Sequence, residues 1–377
     1  MAYQLSFTGF AWKNLWRRRL RTLLTLGGIA MAIGAFVALV GFSRSFEHEW
    51  ARLYSSSGTD MVVVEKTFLE TSLDERAGTK LSAMPFVEQA TPMIFNMMDL
   101  TPEINAIVFG WKGNSYDFNS ITFLSGKRFE DGKAELILGD TLAGNLEKKT
   151  GDTLELQGKA FTVTGIYHGG SALEASAVIM PLDQLQEISS LQGKVSGFHL
   201  RLRPAPSGES EDAYLKRVAK AIEAALPGLR AERANDWATK NQFVGLAHAV
   251  AWGTSSIALL IGILGIANTM AMSVFERTRE IGVLRALGWK SGGVMMLIQA
   301  ESVVLGLVGG MFGLGVGYGA LRLLSRLPET ASIVSSSISA LDLAEAMGIA
   351  VLSGLIAGAY PAWRGAHLSP VEALRHD

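Results

Sequence analysis

Between Asn241 and Leu321 the chain carries only seven charged residues, and their placement is specific. Six fall in one stretch, ERTREIGVLRALGWK at 276–290: Glu276, Arg277, Arg279, Glu280, Arg285 and Lys290. The seventh, Glu301, stands alone in an apolar run. The chemistry open to the six is ion pairing and docking rather than bond making. On a helix, Glu276 can pair with Arg279, and Arg277 with Glu280, within one turn. Ile281, Leu284 and Leu287 repeat every three residues, with Val283 beside them, and give the same helix an apolar side. Gly288 fits the left-handed position that ends a short helix. An amphipathic helix that merely lies on a membrane surface is the alternative reading. Glu301 stands about 16 Å along a helix from Lys290 at ~1.5 Å per residue. A carboxylate inside a membrane marks function by default. Here a structural pair with Arg285 or Lys290 is preferred to a coupling-ion site, because no other charged residue lies within the apolar runs.

Catalytic and metal-binding patterns are missing, so no catalytic residue and no metal ligand is assigned. There is no G-x-x-x-x-G-K-[ST], H-E-x-x-H, G-x-S-x-G or dinucleotide fingerprint. The nearest phosphate-loop string, from Gly151 through Gly158 and Lys159 to Ala160, has the wrong spacing and lacks the hydroxyl that would meet Mg²⁺. Cysteine is absent, which excludes thiol chemistry, and the six histidines are scattered apart from His367 and His376. A charged handle without an engine implies an engine on another chain.

The elements that position this handle are apolar. Hydrophobic residues make up 49% of the chain. Four charge-free runs, at 22–43, within 241–275, at 302–321 and at 346–363, are each about long enough to cross a ~30 Å hydrocarbon core as a helix. Lys13, Arg17, Arg18, Arg19 and Arg21 precede the first run with no acid among them, which places the N-terminus in the cytoplasm. A cleaved signal peptide is the rival reading, but the run exceeds the usual h-region. Residues 44–240 hold 21 Lys and Arg against 27 Asp and Glu, a balance of −6, and lie outside. The organisation expected is a basic amphipathic cytoplasmic segment (1–21), helix 1 (22–43), a periplasmic α+β domain (44–240), a stalk and helix 2 (241–275), the charged cytoplasmic helix (276–290), helix 3 (291–321), a short periplasmic loop (322–345), helix 4 (346–363) and a cytoplasmic tail (364–377). Small residues recur every four positions at Ala30, Gly34 and Ala38, at Gly309, Gly313 and Gly317 with Gly306 and Gly310 beside them, and at Gly354 and Gly358. Such faces let helix backbones approach closely, within a subunit or across a dimer.

The external domain reads as mixed α and β. Strands are expected at 61–65, 106–109, 135–139 and 198–203, and a hairpin over 153–165 turning at Gly158-Lys159. Helical spacing covers 181–188 and 211–225, the latter with Ala213, Leu215, Val218, Ile222 and Ala225 in one stripe. The loop at 204–208 is expected to divide two subdomains. Met84, Phe86, Met93, Ile94, Phe95, Met97 and Met98 crowd one window. Core packing is the preferred reading; a wall that handles amphiphilic substrates is the other.

The stretch at 276–290 resembles the cytoplasmic motif of FtsX-like permease domains of ABC transporters, the group that includes MacB, the LolC/LolE pair and FtsX. Tyr360–Leu374 (YPAWRGAHLSPVEAL) resembles the closing motif of that family, and Ala11–Thr22 (AWKNLWRRRLRT) its opening one. Gly126-Lys-Arg128, Gly139, Gly151-Asp152 and Phe161–Ile166 stand in the order of a MacB-like periplasmic core. The resemblance implies a four-helix (1 + 3) α-helical membrane protein with an α+β periplasmic domain between helices 1 and 2, seated in a bacterial inner membrane. It implies docking of a dimeric cytoplasmic ATPase, which binds the ATP and Mg²⁺, through Glu276, Arg277, Arg279, Glu280, Arg285 and Gly288. It also implies a second permease copy or paralogue, with a periplasmic adaptor, a lipoprotein or membrane lipid as further partners and no nucleic acid. The expected function is a permease that couples ATP hydrolysis on a separate chain to periplasmic movement, for export or lipid and lipoprotein extraction. An FtsX-like mechanotransmitter that activates a periplasmic partner is the alternative. The chain departs from MacB in lacking a fused ATPase domain.

Overall fold

Charge-free runs of this length have one outcome in an apolar medium, a helix that satisfies its own backbone. In the computed structural model, which describes residues 19–65, 73–102, 104–327 and 339–369, all four runs lie in helices. They are α1 (Arg19–Ser57), α8 (Gln242–Glu276), α10 (Ser291–Leu324) and α11 (Ala340–Ala366), each long and apolar enough to cross a membrane. Each outruns its apolar core, because nothing in the flanking sequence stops it. Past Ser43, α1 continues through helix-tolerant polar residues until Gly58, which takes φ +71°. The side chain of Asn241 accepts from the amides of Phe243 and Val244 and starts α8. Ser339 and Asp342 form a capping box that starts α11 at Ala340, ahead of the expected start at Ala346. Residues 1–18 and 370–377 lie outside the described residues, and with them most of the opening motif and the end of the closing one.

The chain divides into two compact units. One is helical and takes α1 up to Ser43, α8 from Ala247, α10 and α11; the other runs from Arg44 to Leu246. In the helical unit the small-residue faces meet one another. A Cβ added at Gly313 would lie 2.7 Å from the Ile33 Cβ and 2.9 Å from the Ala30 carbonyl oxygen, and one at Gly317 would lie 2.8 Å from the Gly34 oxygen. Gly309 faces Ile29 in the same way. The opposite side of α10 packs on α11: a Cβ at Gly306 would meet the Ala350 oxygen at 2.6 Å, one at Gly354 the Ser302 oxygen at 2.7 Å, and Gly358 sits against the Ser302 side chain. Two polar contacts add to this close packing. The hydroxyls of Thr25 and Thr269 lie 2.6 Å apart between α1 and α8, and the Gln299 amide donates to the Leu355 carbonyl between α10 and α11.

The second unit is built on a mixed sheet. Its strands are β1 (Met61–Glu65), β3 (Val87–Thr101), β4 (Ile104–Trp111), β5 (Thr122–Gly126), β6 (Glu135–Gly139), β7 (Thr153–Leu156), β8 (Lys159–His168), β9 (Val178–Pro181), β11 (Gly197–Leu202) and β12 (Leu229–Arg233). They run in the order β12-β1-β11-β3-β4-β9-β6-β8-β5, with β7 also on β8; β2 (Leu73–Asp74) and β10 (Lys194–Val195) form a separate ribbon. Between the strands lie the helices α2 (Ala77–Ser82), α3 (Asp140–Asn145), α4 (Ala172–Ala175), α5 (Leu182–Ile188) and α6 (Glu211–Ala225), and α7 (Ala234–Lys240) follows the last of them. Both faces of the sheet are covered, which is why β1 and β6 read as continuous apolar runs rather than alternations. Met61, Val63, Leu136 and Leu138 face a core shared with α6. Val62, Val64 and Ile137 face an aromatic-rich core with Trp50, Tyr54, Phe109, Trp111 and Phe118.

Several expectations change here. The 204–208 loop divides nothing, since β11 before it and β12 after α6 both pair with β1. The long strand β3 does the joining: Val87–Met93 pair with β11 and Ile94–Thr101 with β4. The stripe on α6 is narrower than expected, with Ala213 and Ala225 exposed and Tyr214 buried in their place. Of the Met-rich window, Met93, Ile94 and Met98 are core residues, while Met97 is exposed. The hairpin turns at Gln157 and Gly158, both at positive φ, as a tight two-residue turn requires.

Candidate functional site

The helix at 276–290 is set by its two ends. α8 stops at Glu276, Arg277 leaves helical geometry at φ −106° and ψ 15°, and α9 (Thr278–Ala286) follows. The Thr278 hydroxyl donates to the Phe275 carbonyl at 2.7 Å and satisfies one acceptor of the end of α8. At the far end Gly288 takes φ +94°, its amide donates to the Arg285 carbonyl, and the Trp289 amide donates to the Leu284 carbonyl. That pair of bonds is the Schellman termination, and it turns the chain into α10 at Ser291.

α9 has two sides. Ile281 and Gly282 are buried, and Arg277, Leu284 and Arg285 are half-buried. Glu276, Arg279, Glu280, Val283 and Leu287 are exposed on the other side, with Leu287 at 76%. The apolar side expected from Ile281, Leu284 and Leu287 is thus divided: Ile281 packs inward and Leu287 points out. The outward stripe is charged at its start and apolar at its end. A cavity of about 330 Å³ opens beside the inward side, among Val274, Ile281, Leu284, Leu297 and Ile298.

Glu301 does not pair with Arg285 or Lys290 as expected. It is 4% exposed and accepts from Arg277, whose Nη1 lies 2.8 Å from Oε1 and 3.1 Å from Oε2. The same guanidinium donates through Nε to Glu280 Oε2 at 3.3 Å. The reason is local. Arg277 leaves the helix where its side chain reaches α10, whereas Arg285 Nη1 donates to the Ser291 hydroxyl at 2.7 Å. A carboxylate taken out of water needs such a partner, since an unpaired buried charge costs several kcal/mol.

A second polar cluster, which the sequence did not suggest, lies inside the α/β unit. The Ser115 hydroxyl donates to Asp117, and Asp117 Oδ1 lies 2.9 Å from His199 Nδ1. All three side chains are buried. The order is serine–aspartate–histidine: the hydroxyl faces the carboxylate and not the imidazole. Nearby, Glu174 accepts from the Ser120 hydroxyl at 2.8 Å and from the Gly170 amide at 2.7 Å. Burial pushes its carboxyl up to about 7; the Ser120 and Gly170 bonds oppose the rise and the charge of Asp117 adds to it. Glu49, from α1, caps the loop with an accepted bond from the Ala172 amide at 2.8 Å. Among the described residues no group of three His, Asp or Glu could hold a metal ion.

Two family models match this chain. One, for the MacB-like periplasmic core domain, matches residues 22–221, and one for the FtsX-like permease C-terminal region matches residues 252–370. The uncharacterized ABC transporter permease MJ1507 of Methanocaldococcus jannaschii is 24% identical, over 98% of this chain and 97% of its own length. The uncharacterized ABC transporter permease YknZ of Bacillus subtilis is 25% identical, over 95% and 96%. The macrolide export ATP-binding/permease protein MacB of Nitrobacter winogradskyi is 27% identical over 94% of this chain, which spans 58% of that protein. Among solved structures, the periplasmic region of MacB from Actinobacillus actinomycetemcomitans matches with a TM-score of 0.38 and 10% identity, covering 47% of this chain and 91% of that one.

Proposed function

The chain belongs to the family of ABC transporter permeases that join a MacB-like periplasmic core domain to an FtsX-like C-terminal region, and from that premise we propose that it is the membrane subunit of a transporter powered by an ATPase on a separate polypeptide. The observation that carries this reading is the outward stripe of α9, exposed between two apolar helices and ending in Leu287. In this reading α9 and both ends of the chain lie in the cytoplasm, the α/β unit lies outside a bacterial inner membrane, and a second permease copy or paralogue completes the assembly. The ATPase dimer binds ATP and Mg²⁺. Glu276, Arg279 and Glu280 meet its charged groups, while Val283 and Leu287 supply apolar area at the contact. Arg277 and Arg285 act from the inward side, holding α9 in place, and Gly288 ends the helix.

The mechanism is mechanical. ATP-driven closure of the ATPase dimer displaces α9, and the displacement passes into the helices that flank it. α1 runs through Ser43, and α8 through Leu246, without a helical break. The periplasmic movement that results serves export or the extraction of lipid or lipoprotein. The test uses the absence of native cysteine. Leu287→Cys, co-expressed with an ABC ATPase encoded beside this chain, is expected to crosslink to that ATPase, while Leu124→Cys on β5 is not. Equal crosslinking at both positions, or none at Leu287 in a complex that hydrolyses ATP, refutes the assignment.

A further inference from the structure

We propose that Arg277 is a transmission pin that carries the displacement of α9 into α10 through Glu301. This rests on the reading of α9 as the surface the ATPase pushes. Arg277 occupies the break between α8 and α9 and holds both neighbours at once: Glu280 one turn along α9, and both carboxylate oxygens of Glu301 on α10. Glu301 is the only charged residue between Ser291 and Leu321. Glu301 is buried and Arg277 half-buried, and a pair so withdrawn from water resists separation more than an exposed one. The joint is therefore firm at the ion pair.

It is loose beside it. A half-open cleft of about 330 Å³ lies next to the pair, between α9 and the ends of α8 and α10. A well-packed interior has few voids larger than a water molecule, and a helix with no void beside it has nowhere to move. α9 has room to tilt while its root stays fixed to α10. α10 in turn has almost no freedom of its own. Gly309, Gly313 and Gly317 hold it against α1, and Gly306 holds it against α11, at distances where no Cβ fits. A pull on Glu301 is therefore passed to the helices on both sides of α10.

The experiment uses the full chain in lipid nanodiscs with its ATPase. Spin labels at Leu264→Cys on α8 and Leu323→Cys on α10 report a distance with and without ATP and vanadate. Glu301→Gln is expected to keep the ATPase bound and hydrolysing ATP while losing the ATP-dependent distance change, and Arg277→Ala is expected to lose the same distance change. The swap Arg277→Glu with Glu301→Arg is expected to restore it. Arg277→Lys, which has one ammonium and cannot serve both carboxylates as a guanidinium does, is expected to restore it in part. If Arg277→Ala does not fold, Glu301→Gln and the swap carry the same comparison. A full distance change in Arg277→Ala or Glu301→Gln overturns the pin. A folded swap that stays uncoupled does so too, and assigns the pair to static packing. Wild-type chain that binds the ATPase without any distance change also overturns it. Wild-type chain that fails to bind the ATPase refutes the reading of α9 itself.

Discussion

Replacing Glu174 by glutamine should change how the stability of the α/β unit depends on pH. Glu174 is 1% exposed, and burial raises its carboxyl from 4.5 to about 7. A carboxyl raised on folding binds its proton more tightly in the native state than in the unfolded one. Its contribution is therefore fully present below pH 4.5 and is lost as pH rises through about 7. At about 1.4 kcal/mol per unit the loss is roughly 3 kcal/mol. A glutamine at this position carries no such proton, yet its carbonyl can still accept from the Gly170 amide. The charge of Asp117 acts on Glu174, the Tyr167 hydroxyl donates to its backbone carbonyl, and Glu49 from α1 caps the same loop. For a unit of this size the difference amounts to about 6–12 °C in unfolding temperature. Thermal unfolding of the detergent-solubilised proteins, followed by near-ultraviolet circular dichroism from pH 4.5 to 8, should show wild type losing that much relative to Glu174→Gln. Parallel curves across the whole range would refute the argument from burial.

Gly313→Leu should separate α1 from α10, since even a Cβ there would stand 2.7 Å from Ile33. A cost of about 1–3 kcal/mol is expected, read as a lower aggregation temperature in detergent. Gly288→Ala places a Cβ at φ +94° and should cost about 1–2 kcal/mol, seen as faster hydrogen exchange in α9. Asp117→Ala leaves His199 Nδ1 and the Ser115 hydroxyl without their buried acceptor and should cost about 2–3 kcal/mol of α/β-unit stability by denaturant unfolding.

The helices were readable because their signal is local: a run without charge, bounded by charge, has one meaning in a membrane. The end of α9 was readable for the same reason, since Gly288 is the residue that tolerates its backbone. The strands 61–65 and 135–139 were legible as apolar runs, although which side each residue faces depends on the sheet. What stayed hidden was long-range. The sequence points to Arg285, inside α9, or Lys290, just after it, as the partner of Glu301, while the structure uses Arg277, at the break before α9. Helical spacing cannot show where a helix is interrupted by one residue. The Ser115–Asp117–His199 cluster joins Asp117 to a histidine 82 positions away, and neither end carries a motif. The split of the α9 apolar side, with Ile281 inward and Leu287 outward, depends on how α9 leans on its neighbours, which the period of the residues does not encode.

The central claim is that the outward stripe of α9 is where the ATPase holds this protein. It is tested most directly by reversing two exposed charges together, Arg279→Glu with Glu280→Arg, and measuring co-purification of the ATPase from membranes. The account predicts that the variant inserts and folds as wild type does while the ATPase no longer accompanies it. Undiminished co-purification would contradict it.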